Sequence, residues 1–224
     1  MNPNALLDWG DSGRRDNMTM NAKIDVKRTL DAYRARPGEL RLLDVPDLQY
    51  LMVDGQGDPN TEPFAEAIET IYPVAYALKF ASKQELGHDY VVPPLEGLWW
   101  ADDMDAFTVA RDKSSWSWTL MTMVPDWLDQ DAFAAAVAQV AARRRPARLD
   151  DIRLEPLSEG RCVQTLHVGS FDDEVGVLER MHHEFVPAHG LRLTGRHHEI
   201  YLSDFRRVQP ERRRTILRQP VVVA

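Results

Sequence analysis

Two side chains that could do chemistry together, Glu199 and Tyr201, lie in the stretch of residues 195–204. This stretch reads as a strand, with a glycine at its start and a Ser-Asp pair at its end. Alternate side chains of a strand share a face, so Glu199 and Tyr201 are neighbours, whereas His198 and Ile200 lie on the other face. A carboxylate in an apolar strand needs water, a donor or a cation, because an unpaired buried charge is costly. We therefore expect Glu199 to face a ligand cavity.

The residue types alone leave two interpretations of Glu199 open. It is either a structural carboxylate paired with an arginine, such as Arg192 or Arg218, or an acid in a pocket. The apolar and aromatic residues around it favour the pocket. Full burial raises the pKa of a carboxyl group by up to about 3–5 units, which suits a general base near neutral pH. Tyr201 would then donate a hydrogen bond to the ligand or to an attacking water.

Aromatic side chains are candidates for the walls of the cavity. They lie on two predicted strands and, one helical turn apart, on a predicted helix: Trp99, Trp100, Trp116, Trp118, Tyr72 and Tyr76. Only one of the adjacent pair Trp99 and Trp100 can face the cleft, whereas Trp116 and Trp118 share a face. The two tyrosines could lie at the rim, in the core or on the surface. Flat rings of this kind bind planar or cationic ligands, at roughly 0.5–2 kcal/mol for each cation–π contact.

Other chemical groups give weaker signals. Glu96 could either support the pocket or pair with an arginine, and the sequence does not separate these roles. Residues 182–184 and 197–199, both His-His-Glu, each resemble half of a His-Glu-x-x-His zinc motif, but the second histidine is absent in both. We therefore predict no metal ligands, and no motif for a nucleotide or other cofactor is present.

Composition restricts the class of protein. The chain has 224 residues and a net charge of −8, which argues against direct binding to nucleic acid or to an anionic membrane. Its one cysteine, Cys162, excludes an intrachain disulfide, as is typical of a reducing compartment. No apolar run approaches the roughly 20 residues of a membrane span, and no export signal begins the sequence. These features predict a cytoplasmic protein.

The order of predicted elements repeats. After a polar, flexible extension over residues 1–22, a domain over residues 23–224 contains module one (about 40–125), a linking helix (about 126–146) and module two (about 150–224). Each module reads strand, helix, strand, strand, with helices over residues 62–82 and 172–188. We predict an α+β fold in which two pseudo-symmetric modules form one curved antiparallel sheet. The helices would cover one side, and a ligand cleft would lie on the other.

Four stretches resemble a known family: Leu-Glu-Gly-Leu-Trp-Trp at 95–100, the two tryptophans running into Met-Val-Pro at 116–125, residues 159–169, and residues 197–204 with 215–220. At these positions the chain resembles the GyrI-like small-molecule-binding family, in its stand-alone form. The resemblance implies a fold of two strand–helix–strand–strand modules. It also implies kinship with the multidrug-binding domains of transcriptional regulators and with hydrolases that open the cyclopropane of DNA-alkylating compounds. Glu199 matches the family's pocket glutamate, and Tyr201 and the tryptophan pairs match its aromatic walls.

The sequence thus predicts a binding protein for lipophilic, aromatic or cationic small molecules. The resemblance further implies hydrolysis of cyclopropane-bearing genotoxins, a self-protective reaction that needs no cofactor, with Glu199 and Tyr201 as the candidate catalytic residues. The alternative is a non-catalytic module that sequesters drugs, or binds an effector and acts through a protein partner. The first 22 residues are too short and polar for a helix-turn-helix, so no direct binding to DNA is expected.

Overall fold

The computed structural model of the protein describes residues 23–101 and 113–224, and the predicted extension over residues 1–22 lies outside them. The strands of the described residues are β1 (Arg41–Val45), β2 (Leu48–Gln56), β3 (Glu96–Trp100), β4 (Ser117–Val124), β5 (Arg153–Leu157), β6 (Gly160–Val168), β7 (Leu191–Leu193), β8 (His197–Tyr201) and β9 (Arg214–Val223). The α-helices of the same residues are α1 (Val26–Thr29), α2 (Glu62–Glu85), α3 (Gln130–Arg143), α4 (Val175–Glu179) and α5 (Val186–Ala188).

The strand order reflects the repeat seen in the sequence. Eight strands pair in the order β1-β6-β9-β8-β3-β4-β2-β5, every pair antiparallel. The first module contributes β2, α2, β3 and β4, the second contributes β6, a helical segment, β8 and β9, and the modules meet where β3 pairs with β8. The α+β fold with two modules in one antiparallel sheet is therefore confirmed.

Two short strands cross between the modules. β1, at the start of module one and ahead of its strand–helix–strand–strand unit, pairs with β6 of module two. β5, at the start of module two and ahead of its unit, pairs with β2 of module one. Each module thus carries an edge strand from the other half of the chain, and β7 pairs with the end of β9.

Local signals explain where the long helices lie. In α2 the buried side chains recur every three or four residues, as in Phe64, Ile68 and Ile71, which produces one apolar face. Pro73 lies inside this helix, which nevertheless continues to Glu85. The carboxylate of Asp129 caps α3 by accepting the backbone N–H of Ala132. No helix of the described residues is long and apolar enough to cross a bilayer.

The helical segment of the second module differs from the single helix predicted over residues 172–188. It begins with a 3₁₀ turn, Phe171–Glu174, continues as α4, and passes through a π-helical turn, Arg180–Phe185, into α5. π-Helical turns are rare and recur at functional sites. Here the turn carries His182 and His183.

Both faces of the sheet are covered. On one face α2 packs on β2 and β4, and the α4–α5 segment packs on β6 and β9. The other face is covered by the N-terminal segment, through Val26, Ala32 and Tyr33. Trp99, Trp118 and Tyr201 belong to the helix-covered face, so the prediction that the cleft lies on the side away from the helices is corrected.

Candidate small-molecule site

Glu199 lies at the centre of the sheet, where β8 pairs with β3. It stands directly opposite Gly97, and its side chain is 15% exposed. A Cβ atom on Gly97 would lie 2.8 Å from Trp99 Nε1 and 2.9 Å from Tyr201 Oη. The absence of a side chain on β3 therefore lets Trp99 and Tyr201 meet across the strands beside the carboxylate.

The surroundings of Glu199 favour its protonated form more than water would. Burial raises the pKa of Glu199 to about 7, although the hydrogen bond with Tyr201 and the charge of His198 act in the opposite direction. Tyr201 Oη in turn accepts a hydrogen bond of 3.1 Å from Trp99 Nε1. Burial and the charge of Glu199 raise the pKa of Tyr201 well above its usual value, so its hydroxyl remains a donor at neutral pH. A carboxyl group that titrates near neutral pH can serve as a general base.

A second carboxyl group, Glu174, faces the same site and was missed by the sequence analysis. It ends the 3₁₀ turn that Ser170 and Asp173 begin through a reciprocal capping box. Its Oε1 is buried without a hydrogen-bond partner among the described residues. Burial, together with the charges of Glu199 and Asp172, raises the pKa of Glu174 well above its ordinary value. The available signal was the Ser-x-x-Asp pattern, which fixes the turn that directs Glu174 inward.

Two neutral histidines complete the polar part of the site. His197 Nε2 lies 3.8 Å from Glu199 Oε1, and the ring of His182, from the π-helical turn, lies 6.4 Å from that of His197. Burial lowers the pKa of His197 to about 3 and that of His182 to about 4. These rings therefore supply polar atoms but no positive charge. Within residues 23–101 and 113–224, no cluster of three potential metal ligands is present.

The helix-covered face also supplies aromatic walls. Phe64 of α2 stacks on Trp99, with ring centroids 5.9 Å apart, and meets the edge of Trp118 at 5.1 Å. Trp116 meets Trp99 edge-on at 5.8 Å. Trp118 is completely buried over Gly55, where an added Cβ would lie 2.0 Å from its ring. Trp118 therefore belongs to the core. Trp99, 5% exposed, is in the same core cluster but reaches Tyr201 through its Nε1, and Trp116 is half-buried.

Tyr201 connects this centre to a second aromatic group. Its ring meets Phe171 at 5.8 Å and Phe205 at 5.3 Å, both edge-on. Sequence reasoning missed both phenylalanines because they lie outside regular strands and helices of clear period. Beside Tyr201, Tyr72 and Tyr76 of α2 line the wall of a cavity of about 210 Å³, in keeping with a place at the rim.

Two residues predicted to bind ligand, Glu96 and Trp100, lie elsewhere. Glu96 is fully buried and pairs in register with Ile200, so its side chain shares the face of His198 rather than that of Glu199. Trp100 lies on this same opposite face, against Arg196 at 3.6 Å from the ring centroid. Both assignments to the cleft are therefore corrected.

Glu96 instead belongs to a buried network behind the site. It accepts hydrogen bonds from Tyr33 Oη at 2.5 Å and from His198 Nε2 at 2.9 Å. His198 Nδ1 lies 2.9 Å from Glu159, which also pairs with Arg218 at 2.7 Å. Burial opposes the charged forms, but these contacts outweigh it, lowering the pKa of Glu159 to about 2 and raising that of His198. Arg218, one proposed partner of Glu199, is thus paired on the other face.

Comparison with known proteins supports this description of the fold. The model of the GyrI-like small molecule binding domain matches residues 38–221. The chain belongs to this family. It is 36% identical to an uncharacterized conserved protein from Listeria innocua, with a TM-score of 0.82, covering 89% of this chain and 100% of that one. It is also 34% identical to a hydrolase from Listeria innocua, with a TM-score of 0.80 and the same coverage.

More distant solved structures share only the fold with this chain. The C-terminal domain of EcmrR superposes with a TM-score of 0.52 at 13% identity, covering 83% of this chain and 98% of that domain. A comparison with curated protein sequences returned no match. The resemblance to the GyrI-like family that the sequence predicted is confirmed.

Proposed function

We propose that this GyrI-like domain binds lipophilic, aromatic or cationic small molecules between the rings around Trp99 and Tyr201, and that it hydrolyses electrophilic ones. The observation that carries this proposal is the pair of unlike carboxyl groups on one face of the sheet. Burial raises the pKa of Glu199 to about 7, and burial together with the charge of Glu199 raises the pKa of Glu174 well above its ordinary value. Paired groups whose surroundings separate their pKa values are the usual acid and base of an active site.

Binding and charge recognition follow from the same geometry. The rings of Phe64, Trp99 and Trp116 are apolar, and Trp116 is the partly exposed one. Each Å² of apolar surface that a flat ligand covers there contributes roughly 25 cal/mol. No described arginine or lysine lies within 4.0 Å of the Glu199 carboxylate. Its charge is therefore available to a ligand cation, or to a water molecule that it deprotonates.

The reaction that these residues support is the addition of water to a strained, activated ring. In a cyclopropane conjugated with a carbonyl, water oxygen attacks a ring carbon while Glu199 accepts the proton of that water. The carbon–carbon bond breaks, and its electron pair moves through the conjugated system to the carbonyl oxygen. Glu174, in its protonated form, supplies the proton for that oxygen. The net reaction adds one molecule of water to the ligand and requires no metal ion and no oxidation or reduction. The similarity to a Listeria innocua hydrolase, at 34% identity, supports a hydrolytic reaction.

Product analysis after incubation with a cyclopropane-bearing alkylator tests the proposal. Chromatography should show the ring-opened, hydrated product with wild-type protein, and its rate should fall at least about 100-fold in Glu199→Gln, as is usual for loss of a general base. Glu179→Gln, an exposed change on α4, is the matched control and should keep the wild-type rate.

Non-catalytic sequestration is the competing outcome. Stoichiometric quenching of tryptophan fluorescence by the alkylator, with no product above the buffer reaction, would refute hydrolysis and leave binding alone. If Glu199→Ala also bound a cationic dye as tightly as wild type, Glu199 would have no part in the site.

A further inference from the structure

The cavity beside Tyr201 is too small to hold a whole ligand of drug size. Its volume is about 210 Å³, whereas complete ligand pockets span roughly 300–1,000 Å³. A cavity of about 150 Å³ holds one benzene ring. The cavity in this protein therefore fits one substituted ring or a fused pair, that is, one end of a larger molecule.

The walls of this cavity are those of an aromatic-ring site. Its apolar side consists of the segment Val92 to Leu95, which includes two prolines, and its aromatic side is formed by Tyr72, Tyr201 and Phe205. Tyr201 borders both this cavity and the Glu199 centre. A flat ligand that passes Tyr201 could occupy both at once.

The charges at the rim distinguish this cavity from the Glu199 centre. Arg206 lies against Tyr72 and pairs with Asp204 through Nε at 2.9 Å and Nη2 at 3.1 Å, and Arg207 meets the same carboxylate at 3.5 Å. Lys27, the other cation of the rim, has no carboxylate within 4.0 Å among the described residues. The rim thus carries a net positive charge, with Lys27 as its cation that makes no ion pair among the described residues, whereas the centre offers a carboxylate.

We propose that this cavity is a subsite for the distal ring of an elongated aromatic ligand, and that Lys27 selects rings bearing an anionic group. The ligand class is thus bipolar: an electrophilic or cationic end lies against Glu199, and a flat acidic end lies beyond Tyr201. The choice of whole ligand rests on the proposed function of the Glu199 centre, but the subsite can be tested without any reaction there.

Ligand-observed NMR titration with 2-naphthoate and its uncharged isostere 2-naphthamide tests the subsite. Wild-type protein should bind the naphthoate about two- to fivefold more tightly, the range expected for a partly exposed ion pair. Lys27→Gln should remove that preference. Lys23→Gln, an exposed change in the same segment, should retain it. Val92→Phe, which fills the cavity, should weaken both probes about tenfold or more, because it occupies the space of a ring.

The same titrations separate this inference from the proposed hydrolysis. Glu199→Gln should bind naphthoate as wild type does, even where it loses turnover. Equal affinities for the two probes in wild type, naphthoate binding that is indifferent to Val92→Phe, or tighter naphthoate binding in Glu199→Gln would each overturn the subsite. The melting temperature of Val92→Phe is the folding control. If it equals that of wild type, the weaker binding of this variant results from the filled cavity and not from unfolding.

Discussion

At the scale of single residues, the same amino-acid type behaves in opposite ways on the two faces of β8. Glu199 lies in a desolvated setting with one phenolic donor, and its pKa is raised to about 7. Glu159 meets a histidine and an arginine behind the same strand, and its pKa is lowered to about 2. Burial opposes ionisation in both cases, so the partner cations decide the outcome. The carboxyl group that we propose to be reactive and a structural one are thus separated by one layer of backbone.

Removal of the Tyr201 hydroxyl should shift the pH dependence of the site. The hydrogen bond from Tyr201 lowers the pKa of Glu199, so Tyr201→Phe should move that pKa above 7. The rate of ring opening, or the affinity for a lipophilic cation, should then rise with pH through a midpoint higher than in wild type. A rate–pH profile of both proteins measures the shift. A midpoint that moves to lower pH would contradict the assigned hydrogen bond.

The raised pKa of Glu199 also predicts how stability depends on pH. The folded protein holds a proton on Glu199 between the ordinary pKa of 4.5 and about 7, where the unfolded chain has lost it. Stability therefore falls as pH rises through this window. Glu199→Gln removes the penalty and should raise the free energy of unfolding at pH 8 by up to roughly 3 kcal/mol, with little effect at pH 4.

Urea unfolding at the two pH values measures this difference. Glu179→Gln is again the matched control, because its side chain is exposed and should change stability by less than about 0.5 kcal/mol at both. An equal stabilisation at pH 4 and pH 8 would mean that packing, rather than ionisation, explains the effect of Glu199→Gln.

At the scale of elements, glycines in the strands make room for the large rings of the helix-covered face. Trp118 of β4 lies over Gly55 of β2, its register partner, with no space for a methyl group. Gly55→Ala should therefore destabilise the protein by about 1–3 kcal/mol or more, the range for an overfilled core.

The control for this change is another glycine-to-alanine substitution. Gly176 lies in α4 with nothing within 4 Å of an added Cβ, so Gly176→Ala should stabilise the protein by about 0.4–1 kcal/mol. Thermal unfolding of both variants measures these changes: the melting temperature should fall in Gly55→Ala and rise in Gly176→Ala. Destabilisation by both would indicate a general cost of the substitution rather than a contact with Trp118.

The elements themselves were largely predictable from the sequence. Because side chains alternate along a strand, the sequence predicted that Glu199 and Tyr201 share one face and that His198 lies on the other. The register of β8 with β3 and β9 agrees with this prediction. The side on which the cleft lies was not predictable, because both faces of the central strands are apolar enough to be buried. Which face the helices cover depends on tertiary packing, and the other face is covered by the segment that carries Tyr33.

The errors in the candidate site have the same origin. Trp100 is next to Trp99 in the sequence and Glu96 is three residues before it, so both side chains point to the face opposite that of Trp99, because side chains alternate along a strand. Glu174 was missed because its inward direction depends on a short 3₁₀ turn rather than on a long periodic helix. Sequence pattern therefore located the strands of the site, whereas the helical segment that completes it required the structure.

At the scale of the whole molecule, the two modules are interlocked rather than merely adjacent. Each receives an edge strand from the other half of the chain, and β3 and β8 join them at the centre. The ion pair between Arg218 and Glu159, both buried, also holds the N-terminal segment, because Arg218 Nη2 donates to the carbonyl of Ala32 at 2.5 Å. We therefore expect the described residues 23–101 and 113–224 to unfold as one cooperative unit.

A substitution in one module should accordingly destabilise both by the same amount. Arg218→Met leaves Glu159 buried without its guanidinium partner and should lower the free energy of unfolding by about 3–5 kcal/mol. All six tryptophans precede the second module in the sequence, so their fluorescence reports on the first half, whereas far-UV circular dichroism reports on both. In urea, the two signals should give one midpoint in wild type and one lower midpoint in the variant.

The control is Arg192→Met, an exposed change in β7. The free energy of unfolding obtained from either signal should stay within about 0.5 kcal/mol of the wild-type value. A fluorescence midpoint that stays in place while the dichroism midpoint falls would show that the halves unfold separately.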